Sequence, residues 1–192
     1  VAHNNIGLHI DADQSHWNTD TERTGCVAPY QDHYHIAKPL DKTYEARSEM
    51  CMEIEKAGIP VKYHHPEVGD AQFEIEPLLG KMSTMADGTM NIKYIIHNVA
   101  RKYGLTATLM PKPIYGEAGS GMHVHCRLTR NGESVMLDHG CLTDEARRAI
   151  AGRVMAGKSL PAFGNPPPLS FLRLVPHQDA HNSPCWSLSN RS

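Results

Sequence analysis

The chain has 192 residues, 40% of them hydrophobic, and a formal charge of -2. Such a length buries one sizeable core, in a single domain or part of one. The near-neutral balance, with no run of like charge, leaves no electrostatic footprint for nucleic acid.

No apolar stretch approaches a membrane span, and the start, Val1-Ala-His-Asn-Asn, lacks the basic end and apolar core of a secretion signal. A start without Met reads as that of an excised piece. Five cysteines (Cys26, Cys51, Cys126, Cys141, Cys185) are odd in number and widely spread. Neither a zinc ribbon nor a disulfide framework follows, and reduced thiols in a cytoplasmic protein fit best.

In chain order, His33 and His35 share an i, i+2 spacing with no carboxylate or glycine turn beside them, which reads as a surface strand. Asp41 to Ala57 predicts a helix: Asp41 is placed to cap it, Arg47, Met50, Ile54 and Ala57 recur at helical spacing, and Gly58-Ile-Pro60 stops it. Val61 to His65 and Ala71 to Glu76 predict two strands. On the second, Gln72, Glu74 and Glu76 alternate with Phe73 and Ile75 and so share a face. Glu67 and Glu74 flank a turn with Gly69 and Asp70, and both carboxylates can converge on one hard cation or simply be solvated. Gln72 and Glu76 read as their outer partners, and the tandem His64-His65 as packing residues rather than a ligand pair.

Asp87 to Tyr103 predicts a second helix, with Ile92, Ile95, Ile96 and Val99 as its buried stripe and Gly104 as its cap. A strand, Leu105 to Met110, then leads into Met110-Pro-Lys-Pro-Ile-Tyr-Gly-Glu-Ala-Gly-Ser-Gly-Met-His-Val-His125. Gly116, Gly119 and Gly121 free the backbone to approach an anion, and in a following strand His123 and His125 point one way while Met122, Val124 and Cys126 point the other. That suits a metal and a phosphate sharing a site. The plainer alternative is a pair of strand histidines satisfied by their neighbours. Asn131-Gly132 marks a hairpin, Thr143 to Lys158 a third helix capped by Thr143, and Pro166-Pro-Pro168 a stiff loop. Arg173 sits on an apolar strand, Leu172 to Val175, from which it either binds an anion or snorkels. The mixture favours an α+β fold, an antiparallel-rich sheet backed by helices and curling into a half-barrel.

The glycine string resembles the glutamine synthetase family, whose catalytic domain carries a Lys-Pro, a Gly and then a Gly-Ser-Gly-Met-His-x-His block. Other anchors follow in order from about Asp11: Asp11-Ala-Asp-Gln-Ser-His-Trp-Asn18 with Arg47-Ser-Glu-Met-Cys51, and His64-His-Pro-Glu-Val-Gly-Asp-Ala-Gln-Phe-Glu74. Beyond these come Asn91-Ile-Lys-Tyr-Ile-Ile-His-Asn-Val-Ala100, Arg173-Leu-Val-Pro176 and Asn190-Arg-Ser192.

The resemblance implies that residues 1–192 are part of that catalytic domain, without its small N-terminal domain, first metal-binding strand and C-terminal segment, and inactive alone. It implies ATP-dependent joining of ammonia to the γ-carboxylate of glutamate through γ-glutamyl phosphate, in a homo-oligomeric ring. It places Mg²⁺ or Mn²⁺, two per site, on Glu67, Glu74 and His123, and nucleotide on His125. Glutamate falls to Gly119 and Arg173, transition-state charge to Arg191, and deprotonation of ammonium to Asp179. Asp179 stands within His177-Gln-Asp-Ala-His181, where the family usually shows Gly-Tyr-Glu-Ala-Pro, so the carboxylate is one methylene shorter. Ala118 and Leu169-Ser-Phe171 also depart from the usual residues. Two other readings stay open on these changes, a γ-glutamyl-amine (polyamine) ligase and a non-catalytic relative; without the resemblance, a metal-dependent hydrolase is the next reading.

Overall fold

The computed structural model describes the backbone of residues 2–3 and 8–9, and residues 32–69, 71–114, 118–165 and 168–173 in full. The chain forms two compact units, Val1–Ser120 and Gly121–Ser192.

In the first unit, β1 (Ala2–His3) pairs antiparallel with β2 (Leu8–His9). Helix α1 runs Tyr44–Lys56, three residues inside the expected start. Asp41 is displaced from the cap because its carboxylate is occupied elsewhere. It accepts from the Thr43 amide at 3.1 Å and hydroxyl at 2.9 Å, and from the Arg47 guanidinium at 2.7 Å. At its other end Gly58, at φ +84°, closes a Schellman motif: its amide donates to Glu55 O at 2.9 Å and that of Ile59 to Ile54 O at 3.2 Å.

Strands β3 (Val61–Pro66) and β4 (Phe73–Pro77) form an antiparallel hairpin in which His65 faces Glu74 and His64 faces Ile75. Alternation sorts its two faces. His64, Phe73 and Ile75 turn toward the helices, while Tyr63, His65, Glu74 and Glu76 share the other side. Helix α2 (Met82–Lys102) begins five residues before the expected Asp87, with the extended Lys81 at its cap position just after Gly80. Gly104, at φ +69°, ends it with the same Schellman bonds, Gly104 to Arg101 at 3.0 Å and Leu105 to Ala100 at 2.9 Å. The expected stripe is half right: Ile96, Val99 and Ala100 are buried with Ala46 and Met50 of α1, and Phe73, Ile75, Ile92 and Ile95 pack around that cluster.

Two expected strands are corrected. Leu105–Met110 and Met122–Cys126 take no strand hydrogen bonds, since no other described segment pairs with them. Met122 and Val124, assigned a packing face, are 72% and 66% exposed.

In the second unit, β5 (Thr129–Arg130) and β6 (Glu133–Ser134) flank the anticipated turn, with Asn131 and Gly132 at φ 53° and 87° as a primed two-residue turn requires. A second such hairpin, β7 (Leu137–Asp138) with β8 (Cys141–Leu142), turns at His139-Gly140. Helix α3 (Asp144–Ala156) is capped as expected, the Thr143 hydroxyl accepting from the Ala146 amide at 3.1 Å while donating to Val135 O at 2.6 Å. Short helices α4 (Pro161–Gly164) and α5 (Leu169–Leu172) follow. Arg173 therefore ends a helix rather than sitting in a strand; Pro168, at φ -53°, presets that turn.

The α+β class holds. The half-barrel goes further than the four two-stranded antiparallel sheets among the described residues. No helix of the described residues is long and apolar enough to cross a membrane.

Candidate active site

The β3–β4 hairpin builds the chemically richest cluster. Residues 65 and 67 lie two apart and share a side, and strand pairing sets His65 opposite Glu74. One ligand atom each from His65, Glu67 and Glu74 thus lies within 4.8 Å of the others. His65 Nδ1 is 3.7 Å from Glu67 Oε1, and Nε2 is 3.7 Å from Glu74 Oε2. The turn between them is held by its own backbone, Glu67 N donating to Gln72 O at 2.9 Å and Gln72 N to Gly69 O at 3.0 Å.

Burial, and then a hydrogen bond with the Glu74 carboxylate, push Glu67 above the ordinary glutamate value of 4.5. Two carboxylates drawn together with an imidazole beside them are a donor set that suits a divalent cation. Glu67 and Glu74 are where the sequence placed metal ligands. His65, set aside there as packing, is the third member. Its signal was present in the i, i+2 spacing to Glu67, but the tandem with His64 obscured it.

The two histidines have opposite duties. His64 Nδ1 accepts from Arg47 Nε at 2.7 Å, and burial together with that cation lowers its pKa, keeping the ring neutral as an acceptor must be. Arg47, 2% exposed, spends its other donors on Asp41 and Thr43. The inner face of the hairpin is thereby fixed to the start of α1. On the other face, His35 stacks on His65 with ring centroids 4.2 Å apart, and Tyr34 meets His65 edge-on at 5.4 Å. His33, 6% exposed, is buried. The expected surface strand at His33 and His35 is thus a turn against the site, with His35 at φ 57° and its amide donating to Pro66 O at 3.2 Å. Nothing in the spacing of that segment announced it.

Gln72 joins the hairpin to the glycine loop. Its Oε1 accepts from Gly69 N at 3.0 Å, and its Nε2 donates to Gly119 O at 3.0 Å and Ser120 Oγ at 3.3 Å. A Cβ at Gly69 would stand 2.7 Å from Gln72 Oε1, so a side chain there would push Gln72 off the hydrogen bond it accepts from Gly69 N. Ser120 N donates to Pro111 O at 2.9 Å and closes the loop at its base. Glu76, the other expected outer partner, is engaged instead by Lys62 at 2.7 Å and by Tyr63, whose phenol that carboxylate holds up to about 12.

In the second unit His123 and His125 lie on an exposed segment with no regular secondary structure. Arg173 packs against Gly121, where a Cβ would stand 2.8 Å from the guanidinium carbon. Asp179 and Arg191 lie outside the described residues, as do Asp11–Asn18, Asp70, Gly116 and the rest of the Arg173-Leu-Val-Pro176 block.

Comparison with known proteins identifies the family. Residues 8–192 match the family model of the glutamine synthetase catalytic domain. The glutamine synthetase of Azotobacter vinelandii is 38% identical over 190 residues, 95% of this chain and 41% of the relative. That of Streptomyces coelicolor is 40% identical over 190 residues, 96% of this chain and 40% of the relative. A solved GmaS/ADP complex superposes with TM-score 0.67 at 26% identity, covering 72% of this chain and 33% of the other. A crystal structure of a glutamine synthase homolog gives TM-score 0.67 over 73% of this chain and 34% of the other, again at 26% identity. The chain therefore belongs to the glutamine synthetase catalytic-domain family. It spans about two-fifths of the length of the curated relatives it matches.

Proposed function

We propose that this chain forms the catalytic core of a glutamine synthetase, a cytoplasmic enzyme that assembles as a homo-oligomeric ring and joins ammonia to the γ-carboxylate of glutamate at the expense of ATP. The observation that carries the reading is the Glu67–Glu74 carboxylate pair, tied through Gln72 to Gly119, in a chain whose residues 8–192 match the family.

Glu67, Glu74 and His123 would hold divalent ions, Mg²⁺ or Mn²⁺, two per complete site. When bound, such ions neutralise phosphate charge and hold the nucleotide oxygens in line. The chain's own groups supply the rest. His125 contacts the nucleotide, Gly119 takes part in binding glutamate, and Arg173 pairs with a glutamate carboxylate through its planar fork. Arg191 offsets charge on the phosphoryl group in flight. A carboxylate is a poor acyl donor until phosphorylated, so the γ-carboxylate first becomes γ-glutamyl phosphate. Ammonium must lose a proton before it attacks, and Asp179 accepts it. No cysteine or serine nucleophile is needed, because positioning and charge neutralisation carry phosphoryl transfer.

The test is phosphate release from Mg²⁺-ATP by the complete protein containing this segment. Release that requires both glutamate and ammonium supports the reading. Release with a larger amine alone moves the function to a γ-glutamyl-amine ligase, which the His177-Gln-Asp-Ala-His181 stretch would favour, and no release from an intact oligomer that binds nucleotide supports a non-catalytic relative.

A further inference from the structure

We propose that His65 Nε2 is a third protein ligand beside Glu67 and Glu74, and that this nitrogen makes the hairpin site prefer Co²⁺ and Zn²⁺ over Mg²⁺. The inference rests on the metal reading of the carboxylate pair and adds both a ligand and a selectivity to it.

Geometry comes first. Two ligands each about 2.1 Å from a common ion at tetrahedral angles stand roughly 3.4 Å apart. His65 Nε2 and Glu74 Oε2 stand 3.7 Å apart, so a shift of a few tenths of an ångström brings both into bonding range, and the Glu67 oxygen, 3.7 Å from Nδ1, must swing toward Nε2 to join them.

The imidazole is also oriented as ligating histidines are. Its Nδ1 lies 2.9 Å from the carbonyl oxygen of Pro66, a contact that only a protonated Nδ1 satisfies, so the lone pair falls on Nε2. The ring is 6% exposed and is held by the stack with His35 and by Tyr34 and Tyr63, the latter with ring centroids 5.7 Å away. A ring fixed in this way loses little freedom on binding an ion.

Selectivity follows from the donor atoms. A site of carboxylates alone suits hard ions that keep their water, whereas an imidazole in the set raises affinity along the series that ends at copper and zinc and does little for Mg²⁺. The alternative role for His65 is as a hydrogen-bonding neighbour of the two carboxylates, and that role gives no preference among divalent ions.

The experiment titrates the metal-free 192-residue chain with Co²⁺, reads the visible absorption of the bound ion, and obtains Mg²⁺ and Zn²⁺ affinities by competition. In the same assay the Glu67→Gln, Glu74→Gln double variant must lose the absorption, which separates this site from His123. The expected result is that His65→Gln weakens Co²⁺ and Zn²⁺ by at least about tenfold, the lower end of what even an outer-sphere partner contributes, and leaves Mg²⁺ nearly unchanged. An equal loss for all ions, or no loss, overturns the His65 ligand and leaves the carboxylate pair standing. No saturable binding dependent on Glu67 and Glu74 overturns both. Should His65→Gln fail to fold, ¹⁵N imidazole resonances of the unaltered chain with Zn²⁺ decide the matter: His65 Nε2 shifts on binding while Nδ1 stays protonated, and an unmoved Nε2 refutes the ligand.

Discussion

Gln72 Nε2 donates to the Gly119 carbonyl at 3.0 Å while its Oε1 accepts from the Gly69 amide at 3.0 Å, so one side chain holds the carboxylate turn and the glycine loop together. Gln72→Ala leaves two half-buried backbone groups without their partner, at a cost of about 1–3 kcal/mol. Thermal melting should show that loss. In the complete protein KM for glutamate should rise more than KM for ATP if Gly119 is on the glutamate side as proposed; equal effects on both would remove Gln72 from that role.

Glu67 gives a pH signature in metal-free protein. Its folded pKa lies above the ordinary value of 4.5, so the folded state holds the proton more tightly than the unfolded chain. The stabilisation is fully present below the ordinary value and is lost as pH rises through the folded one. Glu67→Gln, which cannot charge, is therefore expected to raise the melting temperature at pH 7 in chelator and to lose that advantage near pH 4. The gain should reverse on adding a divalent ion, since the native site then favours two carboxylates. Melting curves at both pH values, with and without Mn²⁺, check this.

Asp41 gives the opposite sign. Burial raises its pKa, but the hydrogen bonds and charge of Arg47, with Thr43, outweigh that and hold it below 3.8. Its contribution is present above the unfolded carboxylate value and fades as pH falls through the folded one. Removing one partner of a buried pair costs about 3–5 kcal/mol, because the other charge is stranded. Asp41→Ala should destabilise by that order in chemical denaturation at pH 7, and a loss under about 1 kcal/mol would mean that Arg47 finds water instead.

Much of this was legible in the sequence, and the failures share a cause. Thr143 capping α3, Asn131-Gly132 turning a hairpin and Gly58 and Gly104 ending helices are local events, decided within a few residues of chain. The closeness of Glu67 and Glu74 was legible because a short turn brings them together by local rules as well, while their assignment as metal ligands came from the family resemblance. His65 packs as expected, but its stack with His35 and its place opposite Glu74 are made by pairing and stacking across the fold, which spacing does not report, and His35 was misread for the same reason. The same holds for 122–126, where alternation describes a strand but only a neighbouring strand makes one.

Cysteine reactivity should divide by burial. The Cys51 thiol is buried in α1, and burial pushes its pKa up to about 11, so almost no thiolate is present at neutral pH. Cys126 and Cys141 are exposed. Alkylation of native protein followed by peptide mapping should label those two well before Cys51, and early labelling of Cys51 would show that α1 opens.

Glutamate labelled with ¹⁸O in its γ-carboxylate tests the proposed chemistry most directly. In the complete protein with ATP and ammonium, passage through γ-glutamyl phosphate transfers one labelled oxygen to the phosphate for each amide formed. The expected result is that transfer, lost in Glu67→Gln together with Glu74→Gln. Phosphate released without label would contradict an acyl-phosphate route at this site.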